Sequence, residues 1–281
     1  RRDLTINAIA EDDMGNIIDP YNGIADIKNR VLRHVSGAFR DDPLRVLRVA
    51  RFMSKLNSFG FSIADETGEL IAEIVNSGEL DYLVPERVWL ETEKALQTEC
   101  FDLYFKILFD YNAIAKIYPD LEGIDHALSN SSLIPYRNAS PEMKMASIFC
   151  ALDNLREGNM IEHLEEVQSR IKFPNSFKSF AKTTLRTSKI INDSNDSISA
   201  DVIYEILEAT DAFRNPENFS LTMEFHNLAD DHDHKIKIIM DAFDSCKGIG
   251  YEEELFEGLE GDAIKDKLVA LRIEKIDSSL K

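Results

Sequence analysis

At Asp41 the apolar residues of this chain stop alternating and begin to recur at helical spacing, and they keep that spacing to the C-terminus. Asp41-Asp42-Pro43 has the composition of a helix start, and Leu44, Leu47, Phe52 and Leu56 form an apolar stripe to about Asn57. Further helical patterns cover residues 65–76, 85–98, 102–117, 141–156, 158–171, 176–191, 199–209, 216–229, 233–246 and 261–277. Pro119, Pro135, Pro141, Pro174, Pro216 and the polar run 192–197 separate them. The preceding residues read differently. Leu4–Ala10 alternates as a strand, Asp13-Met14-Gly15-Asn16 is a turn, and Ile17-Ile18 begins a returning strand. A short helix near Ile24–Asn29 and a strand over Val31–Val35 complete this part. The pattern predicts an α+β chain: a small strand-containing part followed by a long all-helical region.

The chain has 281 residues, room for two or three modules, with 44% hydrophobic and 30% charged residues. No run approaches the ~18 consecutive apolar residues of a membrane span, so no membrane partner is expected. The opening Arg1-Arg2-Asp3 is followed by no apolar stretch and preceded by no Met, and the chain reads as a fragment without a secretory signal. Cys100, Cys150 and Cys246 are widely spaced and odd in number, which argues against a disulfide framework or a cysteine zinc site and suits a reducing cytoplasm. The formal charge of −19 argues against a polyanionic partner until its distribution is considered. Residues 1–55 hold 10 Lys/Arg against 8 Asp/Glu, whereas the remainder holds 22 against 43. A polyanion would meet the first fifth of the chain.

In that basic part, Asp42, Arg45, Arg48 and Arg51 follow one another in steps of three. Each step turns about −60° on a helix, so the set winds over roughly half the circumference. An Asp carboxylate accepts hydrogen bonds from an exocyclic amine, and an Arg fork donates to ring nitrogen or carbonyl acceptors. Cytosine and adenine each present an amine beside an acceptor; guanine and uracil present the reverse polarity. Asp42 with Arg45 could thus select C and A without a template, with Arg48 and Arg51 suited to triphosphate or the far side of the base. Spacing alone favours a solvated, charged helix face.

Arg1-Arg2-Asp3-Leu4-Thr5-Ile6-Asn7-Ala8 closely resembles the RRDxTxNA motif of class II tRNA nucleotidyltransferases and the related bacterial poly(A) polymerases. Asp19-Pro20 with Gly23, Asp26-Ile27 and Arg30 resembles the next segment of that family. Asp41-Asp42-Pro43-Leu44-Arg45 is similar to its nucleotide-selecting EDxxR motif, with Asp41 in place of Glu, and Arg48 through Phe52 continue the match. Pro85-Glu86-Arg87-Val88-Trp89 with Glu91 and Glu93 resembles the neck motif that supports the nucleotide helix. Four motifs in order over about a hundred residues make the resemblance specific.

The resemblance implies that Arg2, Asp3 and Asn7 hold the sugar and phosphates of the incoming nucleotide. It implies that Asp42 and Arg45 read the base, that Arg48 and Arg51 contact the bound nucleotide, and that Arg1, Thr5 and Asp26 give structural support. It implies a nucleotidyltransferase head remnant at 1–36, a helical neck at 37–100, and a helical body and tail at 101–281. Relatives hold Mg²⁺ on two carboxylates of a GSxxRD…DxD stretch, which this sequence lacks, so the expected Mg²⁺ belongs to a missing upstream segment and the fragment alone is expected to be inactive. Asp12-Asp13 reads as a solvated turn.

The tail from Gly261 to Arg272 is similar to the end of one bacterial subgroup, whose body often carries an HD phosphohydrolase module. Cys150-Ala151 stand where His-Asp would be expected, with only His163 following at a plausible distance, so that activity is expected to be lost. His232-Asp233-His234 reads as a solvated helix start, and His34, His126 and His226 as packed or surface residues. Trp89 reads as neck core. The intact protein is accordingly expected to add C, C and A to the tRNA 3′ end from CTP and ATP, with a homo-oligomer left open. A bacterial poly(A) polymerase and a non-catalytic tRNA-binding scaffold are the alternatives.

Overall fold

The computed structural model describes residues 3–121, 123–129, 131–153, 159–194, 198–229, 233–250 and 257–281. The chain divides into two compact units, Arg1–Lys178 and Ser179–Lys281. The fold is α+β and mostly helical, with short strands only near the N-terminus of the first unit among the described residues.

The first unit opens with β1 (Ala10–Glu11) and β2 (Ile17–Ile18), an antiparallel hairpin with Ala10 opposite Ile18. The strand expected over Leu4–Ala10 does not form: Leu4 makes a single bridge to His34 and Thr5–Asn7 is a 3₁₀ turn. Asp3 accounts for this, because its carboxylate takes the Leu4 N–H at 2.9 Å and the Asn7 amide at 3.1 Å. Such local side-chain bonds draw the backbone away from a ladder.

Helix α1 (Gly23–Asn29) starts where the Asp19 carboxylate accepts from Gly23 N at 2.7 Å and Ile24 N at 2.9 Å. Its first residue lies so close to the Thr5 carbonyl that a Cβ there would stand 2.3 Å from that oxygen, which only glycine avoids. Strand β3 (Val31–Leu32) follows, shorter than the expected Val31–Val35; beyond Leu32 the pairing continues only as the bridge between His34 and Leu4.

A 3₁₀ turn over Gly37–Asp41 then leads to α2 (Arg45–Leu56). The helix expected from Asp41 therefore begins four residues later. Asp42 is extended, at φ −140° and ψ 95°, because the ring of Pro43 disfavours helical geometry in the residue before it. The buried face of α2 is Val46, Leu47, Val49, Ala50 and Met53, while Phe52 and Leu56 of the expected stripe are only half-buried. After α2, β4 (Ser62–Ile63) pairs in parallel with β3.

Helix α3 (Asp65–Ser77) ends at Gly78, which is left-handed at φ 81°, and α4 (Pro85–Leu96) begins with proline in its first turn. The helix expected over 102–117 is two, α5 (Phe101–Asp110) and α6 (Ile114–Ile117), separated where Asn112 adopts φ 59°. Helix α7 (Ile124–Ser129), not anticipated, precedes α8 (Pro141–Asp153) and α9 (Met160–Ile171).

The core of the unit forms where α2 packs on α5: Leu47, Val49, Ala50, Phe101, Phe105 and Leu108 are fully buried. Each large side chain of this set contributes about 1.5–3 kcal/mol by leaving water. Trp89 is buried and meets Phe177 edge-on at 4.9 Å. Beneath it, Thr92 Oγ1 bonds Tyr118 OH at 2.5 Å, and Tyr118 OH meets Tyr104 OH at 3.1 Å. Burial pushes both phenols up, Tyr118 to about 12.

Helix α10 (Asn175–Asp193) runs across the boundary into the second unit. There α11 (Ala200–Ala209) and α12 (Pro216–Asn227) start on Ser199 and Asn215 side-chain caps. Helices α13 (Asp233–Cys246) and α14 (Asp262–Ser279) complete the unit around Ile203, Ile206, Leu207, Phe219, Ile239 and Ile276. His226 is buried with Nε2 2.7 Å from Thr187 Oγ1, whereas His126 is exposed. His232 lies outside the described residues. Among the described residues, no helix is long and apolar enough to cross a membrane.

Candidate functional site

Helix α4 packs against α2 and presents Arg87 and Glu91, one turn apart, to the charged residues around α2. Arg87 Nη2 donates to Asp42 Oδ2 at 2.9 Å. Glu91 is buried, and its Oε2 accepts from Arg51 Nε at 2.6 Å. Its Oε1 accepts from Lys94 Nζ at 3.4 Å and faces Arg48 Nη1 at 3.8 Å. Arg45, Arg48 and Arg51 are half-buried and engaged, so the solvated charged face that spacing alone allows is not what forms.

Arg48 continues the cluster to the start of the chain, with Nε at 2.7 Å and Nη2 at 2.6 Å from Asp3 Oδ2. Asp3 is only 5% exposed, with Oδ1 taken by Leu4 N and Asn7 Nδ2. Burial alone would raise the Asp3 carboxyl, but the Asn7 amide, the Arg48 guanidinium and the Leu4 N–H hold it below the usual value. In this geometry Asp3 reaches a ligand through Arg48 and Asn7, which it orients. Arg2 lies outside the described residues.

Asp42 and Arg45 sit side by side through the backbone, Arg45 N donating to Asp42 O at 3.0 Å. Their side chains have different neighbours. Asp42 Oδ1 accepts from Leu44 N at 3.3 Å, whereas Arg45 Nη1 donates to the Ala38 carbonyl and its guanidinium stands 5.7 Å from the centre of the Phe39 ring. A carboxylate has about four lone-pair positions and a guanidinium five N–H donors, so both groups keep capacity for a ligand. Asp26 supports the same region from below, accepting from Thr5 Oγ1 at 2.7 Å and Arg33 Nε at 3.2 Å.

Site spacing within the 42–51 segment did not reveal Arg87 and Glu91 as its partners. The available signal was the resemblance of Pro85–Trp89, with Glu91 and Glu93, to the neck motif that supports the nucleotide helix; Glu91 stands on the face of α4 shared with Val88, Thr92 and Ala95. At the expected HD position, Cys150 and Ala151 lie in α8 beside the buried Phe149 and Leu152. Among the described residues, no three His, Cys, Asp or Glu side chains are grouped so as to hold a metal ion.

Residues 1–33 match the family described as "Poly A polymerase head domain", and residues 60–124 match "Probable RNA and SrmB- binding site of polymerase A". The fold is similar to that of a solved CCA-adding enzyme in complex with ATP, with a TM-score of 0.70 at 20% identity over 98% of this chain. A CCA-adding enzyme in complex with CTP gives a TM-score of 0.71 at 21% identity over 99% of this chain and 67% of that one. The Bacillus stearothermophilus CCA-adding enzyme in complex with CTP gives a TM-score of 0.70 at 24% identity over 99% of this chain and 68% of that one. The chain spans 66% of the length of the ATP-bound structure. At these identities the likeness establishes the fold.

Proposed function

We propose that the chain belongs to the tRNA nucleotidyltransferase and poly(A) polymerase family, two of whose domain models match residues 1–33 and 60–124, and that it is the nucleotide-selecting portion of a CCA-adding tRNA nucleotidyltransferase. The intact protein adds C, C and A to the tRNA 3′ end from CTP and ATP, in the cytoplasm and without a nucleic-acid template. The observation that supports this reading is that Asp42 and Arg45 are backbone neighbours at the start of α2, Arg45 N donating to Asp42 O, with the Asp42 carboxylate held by Arg87 of α4. Asp42 accepts from the exocyclic amine of cytosine or adenine, and Arg45 donates to the adjacent ring acceptor. Guanine or uracil would set a carbonyl against the carboxylate and leave polar groups unpaired. Sites built on such bonds reject the wrong partner by on the order of 10⁴-fold or more.

Arg48 and Arg51 keep free N–H donors beyond those on Asp3 and Glu91 and contact the bound nucleotide, with Arg2 and Asn7 near its sugar and phosphates. Family members use Mg²⁺, but the described carboxylates do not fit a two-metal centre. Asp3, Asp26 and Glu91 are each engaged with arginine, and Asp12 accepts from the Met14 and Asn16 amides of its own turn. No step through a metal is therefore assigned to these residues. Nor is phosphohydrolase activity assigned to Cys150-Ala151, which are not metal ligands of the His-Asp kind.

The test is incorporation by the full-length protein, with Mg²⁺, a tRNA lacking its last three nucleotides and each labelled NTP in turn. Addition of C and then A, stopping after three nucleotides, is expected. Open-ended A addition would instead identify a poly(A) polymerase, the second reading, which the description of the matched head family favours. No incorporation would point to a tRNA-binding scaffold.

A further inference from the structure

We propose that Phe39 is a positioning residue for base selection: its ring face, together with the Ala38 carbonyl, holds the Arg45 guanidinium by uncharged contacts and leaves its charge for the base. The proposal rests on the reading of Arg45 as the donor to the ring acceptor of the base. The arginines of α2 are held differently. Arg48 lies on the Asp3 carboxylate and Arg51 on that of Glu91. Arg45 makes no ion pair among the described residues. Its Nη1 donates to the Ala38 carbonyl, and its guanidinium stands 5.7 Å from the centre of the Phe39 ring, within cation–π range. Asp41, on the same 3₁₀ turn as Phe39, is exposed and makes no ion pair among the described residues either.

Arg45 needs such a support, because it is the first residue of α2, where the free N–H groups of the helix repel a cation. The Phe39 ring can supply it because it is itself fixed. It is 1% exposed and meets His34 edge-on at 5.8 Å. His34 is in turn locked to α3: its backbone N donates to Thr67 Oγ1 at 3.0 Å, its Nδ1 lies 2.9 Å from the same oxygen, and Thr67 is fully buried. A ring face and a carbonyl attract a guanidinium without neutralising it. The cation that faces the base therefore keeps its full charge, and the Phe39 ring limits where its N–H fork can turn.

The experiment compares kcat/KM for CTP and UTP in the full-length protein, on a tRNA lacking its last three nucleotides. The ratio of the two is independent of how much of the enzyme is folded. The variants are Phe39→Leu, Phe39→Met, Phe39→Tyr, Asp41→Ala, Arg45→Ala and the Phe39→Leu/Arg45→Ala double. Phe39→Leu, or Phe39→Met should the leucine variant not fold, is expected to lower the CTP-over-UTP preference by about two- to fivefold, the strength of one cation–π contact at a partly exposed site. Phe39→Tyr keeps the ring face and is expected to retain the preference. In the Arg45→Ala background, Phe39→Leu is expected to change it no further, because the two act through one guanidinium. If Phe39→Leu and Phe39→Met keep the wild-type preference while Arg45→Ala loses it, the proposal is overturned and the reading of Arg45 stands. If Arg45→Ala itself keeps the preference, that reading falls and this proposal falls with it. A loss from Asp41→Ala as large as that from Phe39→Leu would also overturn the proposal, since a carboxylate and not the ring would then hold the guanidinium.

Discussion

Arg48 sets two of its nitrogens, at 2.7 and 2.6 Å, on a single oxygen of Asp3, a residue 45 positions earlier in the chain and only 5% exposed. The contact ties the first turn of the chain to the middle of α2. A ligand that meets the Arg48 guanidinium is therefore coupled, through one carboxylate, to Leu4 and Asn7.

Removing Arg48 leaves Asp3 buried without its cation. Breaking a buried pair from one side costs about 3–5 kcal/mol, and partial exposure of Arg48 brings the expected loss for Arg48→Ala to about 2–3 kcal/mol. Asp3→Asn, which retains a polar group for Leu4 and Asn7, is expected to cost less. Urea unfolding of both variants checks the order.

The Asp3 carboxyl titrates below its unfolded value, so it contributes stability above the ordinary carboxylate pKa of 3.8 and loses it as the pH falls through the lowered native value. Wild-type stability should therefore fall more steeply than that of Asp3→Asn below about pH 4. Urea midpoints measured from neutral pH to the acid limb would show the two curves converging. Parallel curves would contradict the assignment.

Glu91 is the buried anion between Arg51 and Arg48. Glu91→Gln keeps its size but removes the charge, and is expected to destabilise the fold by about 2–4 kcal/mol and to weaken nucleotide binding by loosening both arginines. Thermal unfolding and equilibrium CTP binding, measured on the same sample, separate the two effects.

Gly23→Ala is expected to destabilise the N-terminal region, because its Cβ would stand 2.3 Å from the Thr5 carbonyl oxygen and 2.9 Å from Ile9. Relief requires moving α1 off the Thr5–Asn7 turn, at a cost of about 1–3 kcal/mol. An unchanged unfolding midpoint would show that the close approach is absent in solution.

The helical region was legible because its apolar residues repeat at the helical period and its ends carry Pro or capping side chains, as at Pro85, Ser199 and Asn215. The errors cluster where a local polar bond or one residue's backbone preference overrides that pattern. Asp3 turns Leu4–Asn7 away from a strand, Asn112 divides one expected helix into two, and Pro43 forces Asp42 out of the helix that its acidity seemed to start. The charged residues from Asp42 to Arg51, and the neck motif with Arg87 and Glu91, could be picked out from the family resemblance, but which side chain pairs with which could not. Arg87 and Glu91 lie about 40 residues further on and are set in place by the packing of α4 on α2, which no short-range pattern encodes.

A structure of the full-length protein with CTP and tRNA tests the central claim most directly, through the separation between the Asp42 carboxylate and the cytosine amine. The account predicts a hydrogen bond of about 2.7–3.2 Å there, with Arg45 on the neighbouring ring acceptor. A cytosine edge held by other groups, out of reach of both Asp42 and Arg45, would contradict it.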